Sequence, residues 1–264
     1  MNPFRRLFRA AERAPLPSVP DGQRVYAVGD VHGCADLFAA LVTAIAADDG
    51  ARDNAETTIV LLGDLIDRGP DSAQVIAAAR ALQARRAVRI LKGNHEEMLI
   101  ECLASREVLR EFLRYGGRET VLSYGVDPAA YHAADLDGVQ ALIDAHIPAE
   151  DLAFIAGFED SLTIGDYYFV HAGVRPGVPL GQQSASDQHW IRGTFLAQDD
   201  GFGAVVVHGH TIFAKPEIKA GRIGIDTGAY TTGRLTALGL QGTRRWLIEA
   251  TDNDGAIAIA QRSI

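Results

Sequence analysis

Residues able to hold a metal, grip phosphate or move a proton are gathered in short clusters. These are Gly29-Asp30-Val31-His32-Gly33, Gly63-Asp64-Leu65-Ile66-Asp67-Arg68-Gly69, Gly93-Asn94-His95-Glu96, His171-Ala172-Gly173, His208-Gly209-His210-Thr211 and Asp226-Thr227-Gly228. Each follows an apolar run of the kind that forms a buried strand, and most are flanked by glycine, which lets the backbone turn tightly there. One cluster alone means little: Asp30 and His32 are two apart, and residues two apart share a face of any extended segment. The joint occurrence carries the inference, because ligands of open α/β sheets collect beyond the carboxyl ends of the strands. A mixed oxygen and imidazole set suits Mn, Fe or Zn better than the all-oxygen cages of Ca or Mg. Asp30, His32, Asp64, Asn94, His171 and His210 are too many for one tetrahedral site and match two metals that share a carboxylate.

The elements that must position these residues are legible as apolar periodicity. Strands are expected at Arg24 to Val28, Thr58 to Leu62 and Val88 to Leu91, with helices from about Ala35 to Ala47, from about Asp71 to Arg86 and after Glu96. Three strand, turn and helix units in succession favour parallel strands with right-handed crossovers. From Met98 to Gly157 the chain reads as mostly helical and is taken as a cap beside the site, at about 98–157, a natural place for substrate selection, with a purely structural insertion as the competing reading. From Tyr167 onward it turns strongly β, with short polar turns, so an antiparallel portion and a second sheet packed on the first are expected. The fold class is therefore α/β with α+β character, a two-sheet β-sandwich flanked by helices, forming one domain over 21–264. Before it, a basic tail over 1–20 carries Arg5, Arg6, Arg9 and Arg13 and offers a weak membrane or partner-docking signal.

Composition limits what such a site can serve. A chain of 264 residues, 47% of them hydrophobic, can bury a sizeable core. Its net charge of −9 argues against nucleic acid as the main partner, since that binding rests on basic patches, and it fits a protein that gathers divalent cations. Cys34 and Cys102 show no zinc-ribbon or disulfide spacing and read as packing. No apolar run approaches the roughly 20 residues needed to cross a bilayer, so a reducing cytoplasm is the expected location.

Taken together, the motifs resemble the calcineurin-like metallophosphoesterases, more narrowly the phosphoprotein phosphatase superfamily and its bacterial and phage lambda-type serine/threonine phosphatases. The resemblance runs from about Val25 to Leu240, and Tyr115-Gly116-Gly117 and Ile225-Asp226-Thr227-Gly228-Ala229 share it. It implies a metallo-dependent phosphatase fold with one metal on Asp30, His32 and Asp64 and another on Asp64, Asn94, His171 and His210, most simply Mn2+, with Fe or Zn as alternatives. Within His208-Gly209-His210 it selects the histidine before Thr211, although His208 sits where the strand ends. It also makes His95 and Asp67 the pair that protonates the leaving group, and Arg192 a second phosphate-binding arginine, for which a surface salt bridge is the competing reading.

Two metals roughly 3.5 to 4 Å apart would make a bridging hydroxide available near neutral pH for in-line attack on phosphorus, without a covalent phosphoenzyme. His95, beside Asn94, is placed to donate a proton to the leaving oxygen, and Asp67 to orient its ring. Arg68 can clamp phosphate with its planar fork, beside the ligand Asn94. Glu96 and Asp226 are read as hydrogen-bonding supports, and His132, His146 and His189 as solvated or cap-packing. The leading expectation is a phosphomonoesterase acting on phosphoserine and phosphothreonine in proteins. The alternative is hydrolysis of dinucleoside polyphosphates such as diadenosine tetraphosphate, or of another small phosphoester. A pseudoenzyme would lack the bridge or the acid, and Asp64, Asp67 and His95 are all present.

Overall fold

Strand β1 (Gln23–Val28) sends alternate side chains into two different cores, which is why its stretch from Val25 to Val28 is apolar without a break. Val25 and Ala27 face inward to a second sheet; Tyr26 and Val28 face outward to helices. The structure, a computed structural model, describes residues 16–264, so the basic residues Arg5, Arg6, Arg9 and Arg13 lie outside the described residues. After β1 come α1 (Ala35–Gly50), β2 (Glu56–Leu61), α2 (Ser72–Gln83), β3 (Ala87–Ile90) and α3 (Asn94–Cys102), and β1, β2 and β3 pair in parallel as expected.

The stretch read as a cap is helical throughout: α4 (Arg106–Phe112), a π-helical turn over Leu113–Gly117, α5 (Arg118–Ser123), α6 (Pro128–Ala133), α7 (Leu136–His146) and α8 (Ala149–Ala156). These helices supply Leu109, Phe112, Val121, Val139, Ile143 and Ile155 to the same core as α1, α2 and the outer face of the first sheet. Each fully buried side chain of this kind stabilises by about 1.5–3 kcal/mol. They therefore form much of the outer helical layer, and only the turn around Gly116 and the residue Thr120 reach the site directly.

The β half departs from expectation in its partition. It comprises β4 (Ser161–Ile164), β5 (Tyr167–Val170), the short helices α9 (Ala185–Trp190) and α10 (Gly193–Leu196), β6 (Val205–His208), β7 (Glu217–Ile218), β8 (Arg222–Gly224), α11 (Ala229–Thr232), β9 (Arg234–Gln241), β10 (Arg244–Asn253) and β11 (Ala256–Ser263). The antiparallel run β9 to β11 joins the first sheet, in the order β11-β10-β9-β1-β2-β3, and not the second. The second sheet, β4-β5-β6-β8-β7, is parallel at its centre, with antiparallel pairing only at its edges. Local alternation reports that a strand is half-buried; it does not report which sheet the strand joins. Between the sheets lie Val60, Leu62, Leu91, Phe169, Val207, Ile225 and Leu238, and Val170, Val206 and Phe195 cover the far side of the second.

Candidate active site

The carboxyl ends of β1, β2 and β3 meet those of β5, β6 and β8 at one edge of the sandwich, and every strand-end cluster read from sequence arrives there. The loops carry strain: His32, Asp64, Asp67, Arg68 and His210 all have positive φ, between 45° and 71°. Each non-glycine residue held in that region costs about 1–3 kcal/mol, so the surrounding contacts must over-determine the conformation. They do. The backbone N–H groups of Val31 and His32 both donate to Asp64 O, at 3.1 and 2.8 Å, and the Arg68 N–H donates to Gly116 O at 3.1 Å. Glu96, buried, accepts from the N–H of Leu65 at 2.7 Å and from those of Asp64 and Gly93 at 2.9 Å. A side chain at Gly93 would overlap Asp64 Oδ1, and one at Gly209 would overlap Asp30 Oδ1, so the loops approach one another backbone against carboxylate.

Asp64 lies at the centre. Its Oδ2 is 3.4 Å from His32 Nε2, its Oδ1 is 3.4 Å from His171 Nε2, and its Oδ1 accepts from the His95 N–H at 3.2 Å. The imidazole tautomers follow from their partners: His32 Nδ1 faces Ile66 O and His171 Nδ1 faces Leu62 O, each at 2.8 Å. A carbonyl only accepts, so Nδ1 carries the proton in both rings and Nε2 turns its lone pair toward Asp64. Asn94 Oδ1 stands 3.1 Å from His171 Nε2, and His210 Nδ1 stands 3.1 Å from the same atom. His210 N–H donates to Asp30 Oδ2 at 2.9 Å, while Asp30 Oδ1 is buried without a partner.

Electrostatics agree with this geometry. Burial pushes the Asp64 carboxyl up, but His171, His95, His32 and His210 around it bring it below the ordinary carboxylate range. Burial pushes His32 down to about 3 and His210 down to about 2, so both present neutral rings. Burial, Asp226 and Asp64 raise Asp30, and Asp226 is itself raised to about 6, chiefly by burial. Lone-pair nitrogens converging on a carboxylate, an orphaned buried carboxylate oxygen and clustered acids are the donor set of a divalent cation site. Carboxylate and imidazole atoms fall into two groups of potential ligands that share Asp64: His32, Asp64 and His95, and Asp64, His171 and His210.

The first of those groups contains His95 where the sequence reading has Asp30. His95 is differently held: Nδ1 is 2.6 Å from Asp67 Oδ2, and Nε2 is 4.0 Å from Asp64 Oδ2 and accepts from Arg68 at 2.9 Å. Burial lowers His95, but Asp64 and Asp67 outweigh it and the ring is raised above its ordinary value. Asp67 is raised by burial although His95 and Thr120 pull it back, Thr120 Oγ1 donating to Oδ1 at 2.6 Å. With both Asp67 oxygens accepting at 2.6 Å, the proton of the pair resides on His95.

Around this centre Arg68 donates to His32 Nε2 at 3.0 Å and to the Tyr230 hydroxyl at 3.3 Å, with its guanidinium 4.9 Å from the centroid of the Tyr230 ring. Arg192 is exposed and donates from Nε to His210 Nε2 at 2.8 Å; among the described residues it makes no salt bridge. His208 points away from the site, packed between Phe195 and Phe213, so His210 is the histidine of that cluster that reaches Asp64's surroundings. His132 and His146 are exposed, as expected. His189 is neither solvated nor part of the cap: it is buried between Glu97 and Asp160, at 3.2 and 3.1 Å, because α9 packs against the start of α3. Cys102 is buried as expected, whereas Cys34 is half-exposed beside the site. Sequence reasoning missed Thr120, Ser72 and Tyr230. Thr120 and Ser72 both accept from the Asp67 N–H, but only Tyr230 had a local signal, being next to the Asp226-Thr227-Gly228-Ala229 motif.

Comparison with known proteins gives the following. The family model described as calcineurin-like phosphoesterase matches residues 23–224. The chain is 28% identical over 233 residues to a protein of Bacillus velezensis named bis(5'-nucleosyl)-tetraphosphatase PrpE [asymmetrical], covering 79% of this chain and 86% of that one. The protein of the same name from Bacillus subtilis is 27% identical over 229 residues, covering 79% and 87%. Among solved structures, one titled as a candidate diadenosine tetraphosphatase aligns with a TM-score of 0.57 at 19% identity over 94% of this chain and 98% of its own. A cold-active protein tyrosine phosphatase aligns with the same TM-score at 18% identity over 92% and 81%; at such identities both likenesses show the fold.

Proposed function

The chain belongs to the calcineurin-like phosphoesterases, a family that uses a dinuclear divalent metal centre, and from that premise we propose that it hydrolyses a phosphoanhydride bond of dinucleoside polyphosphates. One observation carries the substrate class: the relatives aligned over about four-fifths of the chain are named as dinucleoside tetraphosphatases, and the likeness to a protein phosphatase extends only to the fold. The serine/threonine protein phosphatase expected from the motifs is therefore the second reading.

In this proposal Asp30, His32 and Asp64 hold one cation and Asp64, Asn94, His171 and His210 the other. When bound, the cations supply a water nucleophile near neutral pH and draw charge from the phosphoryl oxygens. His210 Nδ1 carries a proton aimed at His171 Nε2 while Nε2 accepts from Arg192, so for Nδ1 to hold a cation the neutral ring would move that proton to Nε2 and the Arg192 contact would be given up. Arg68 binds the phosphoryl group, held at its backbone by Gly116 O and at its guanidinium by Tyr230; its contacts to His32 Nε2 and His95 Nε2 are the ones that phosphate would replace. His95 keeps its Nδ1 proton on Asp67 and, once Arg68 has turned to the phosphoryl group, carries a second proton on Nε2 that it gives to the leaving oxygen; Thr120 and Ser72 fix Asp67 from behind.

The test is turnover of the Mn2+-loaded chain on diadenosine tetraphosphate, a phosphoserine peptide and a phosphotyrosine peptide. A specificity constant at least about 10²-fold higher for the dinucleotide is expected, a ratio within reach of specific polar recognition. Equal or better turnover of either peptide would return the protein-phosphatase reading to first place.

A further inference from the structure

A cavity of about 410 Å³ opens beside Arg68, between Cys34–Leu37 at the start of α1, the turn Arg68–Asp71, Ala229 and Tyr230 of α11, and the foot of the β9–β10 hairpin at Gly233 and Asp252. Its volume lies within the range of small-molecule pockets. Within it we infer a nucleoside subsite, with Tyr230 as the stacking surface for the base. The inference rests on the dinucleotide reading and names where one end of that substrate lies.

Three observations support it. First, the cavity is continuous with the reacting centre through Arg68, whose guanidinium touches His95 and His32 and also lines the cavity. Because Arg68 itself lines the cavity, a phosphoryl group held there would have this space next to it for its substituent. Second, Tyr230 is pinned from behind: its ring meets His32 edge to face at 5.2 Å and 77°, and its hydroxyl accepts from Arg68. The ring is half-buried and lines the cavity, with the Arg68 guanidinium 4.9 Å from its centroid, so a base would stack on the face that Arg68 leaves free. An aromatic face held in this way stacks a base without ordering cost. Third, charge along the cavity is graded. Arg68 is the basic group at the inner end, and the walls carry the carboxylates of Asp36, Asp71 and Asp252. Carboxylates repel a second phosphate and accept from ribose hydroxyls or a base amino group, so the inner end takes phosphate and the outer end an uncharged, donor-bearing nucleoside.

The cap, read from sequence either as a place of substrate selection or as a structural insertion, contributes no residue to this cavity. Selection is assigned instead to α11 and the loops after β1 and β2.

Calorimetry on the Mn2+-loaded full chain, titrated with AMP and with ribose 5-phosphate, tests the subsite. AMP should bind at least about tenfold more tightly than ribose 5-phosphate, the worth of one stacked base. Tyr230→Leu should abolish the preference and Tyr230→Phe, which keeps the ring, should retain it. Equal affinities in the natural chain, or a preference that survives Tyr230→Leu, would overturn the proposal. Diadenosine tetraphosphate turnover by the same preparation separates the two ideas. Turnover without an AMP preference removes the subsite alone, and an AMP preference without turnover removes the dinucleotide reading while the subsite stands.

Discussion

The two sheets meet at one site but hold their residues there differently. Loops after β1, β2 and β3 are laced to one another by backbone groups: Val31, His32 and Gly33 donate to Asp64 and Leu65, and Glu96 accepts from Gly93, Asp64 and Leu65. Loops after β5 and β6 reach that lattice by side chains, through His171 on Leu62 O and Asn94, and by the single His210 N–H on Asp30. The first half is therefore a rigid platform whose failure is structural. The second half presents His171 and His210, the proposed ligands, whose loss would be chemical.

Removing the platform's clasp should have the largest effect. Glu96→Ala leaves three buried amides without acceptors at about 1–3 kcal/mol each, so urea denaturation of the metal-free chain should show a loss of at least about 3 kcal/mol. His210→Ala should instead leave metal-free stability within about 1 kcal/mol and lower turnover about 10²-fold, with one tightly held metal remaining. Equal stability losses in the two variants would erase the distinction between the sheets.

The two arginines sharpen it further. Arg68 is tied at its backbone and by three side-chain partners, whereas Arg192 is exposed with one. In steady-state kinetics Arg68→Ala should cost about 10²-fold in kcat/KM and Arg192→Ala about tenfold, magnitudes of charged hydrogen bonds. The reverse order would place the main phosphate grip on the second sheet.

The smallest effect concerns the far end of the first sheet, where Arg24, buried, meets Asp49 at 2.6 Å. Burial raises Asp49, but hydrogen bonds from Thr57, Arg24 and Arg86 hold its carboxyl below the ordinary carboxylate range. A depressed folded value contributes stability present above the unfolded value and lost as pH falls through the folded one. Stability against pH should therefore decline below about pH 4. Asp49→Asn should lose about 1 kcal/mol at pH 7 and flatten that decline.

Much of the site was legible because strand-end glycines and ligand residues are local signals. The apolar run before Asp64 has to be a strand buried on both faces, as Ile59 and Val60 are in opposite cores. What was not legible is long-range. Thr120 supports Asp67 across 53 positions with no motif of its own, β9 to β11 carry the same alternation whichever sheet they join, and His189 becomes buried only because α9 docks on α3. The resemblance selects His210 over His208 without a physical reason; the left-handed turn at His210 supplies one, turning that side chain toward His171 and leaving His208 among phenylalanines.

The central claim is that the platform supplies the shared ligand Asp64 and, separately, a proton donor, His95, that does not hold metal. Metal content per chain, measured for the natural protein, Asp64→Asn and His95→Asn, tests this most directly. Two ions are expected in the natural chain, at most one in Asp64→Asn, and two in His95→Asn, with the turnover of His95→Asn about 10²- to 10⁴-fold lower. Loss of an ion from His95→Asn would make His95 a ligand and contradict the account.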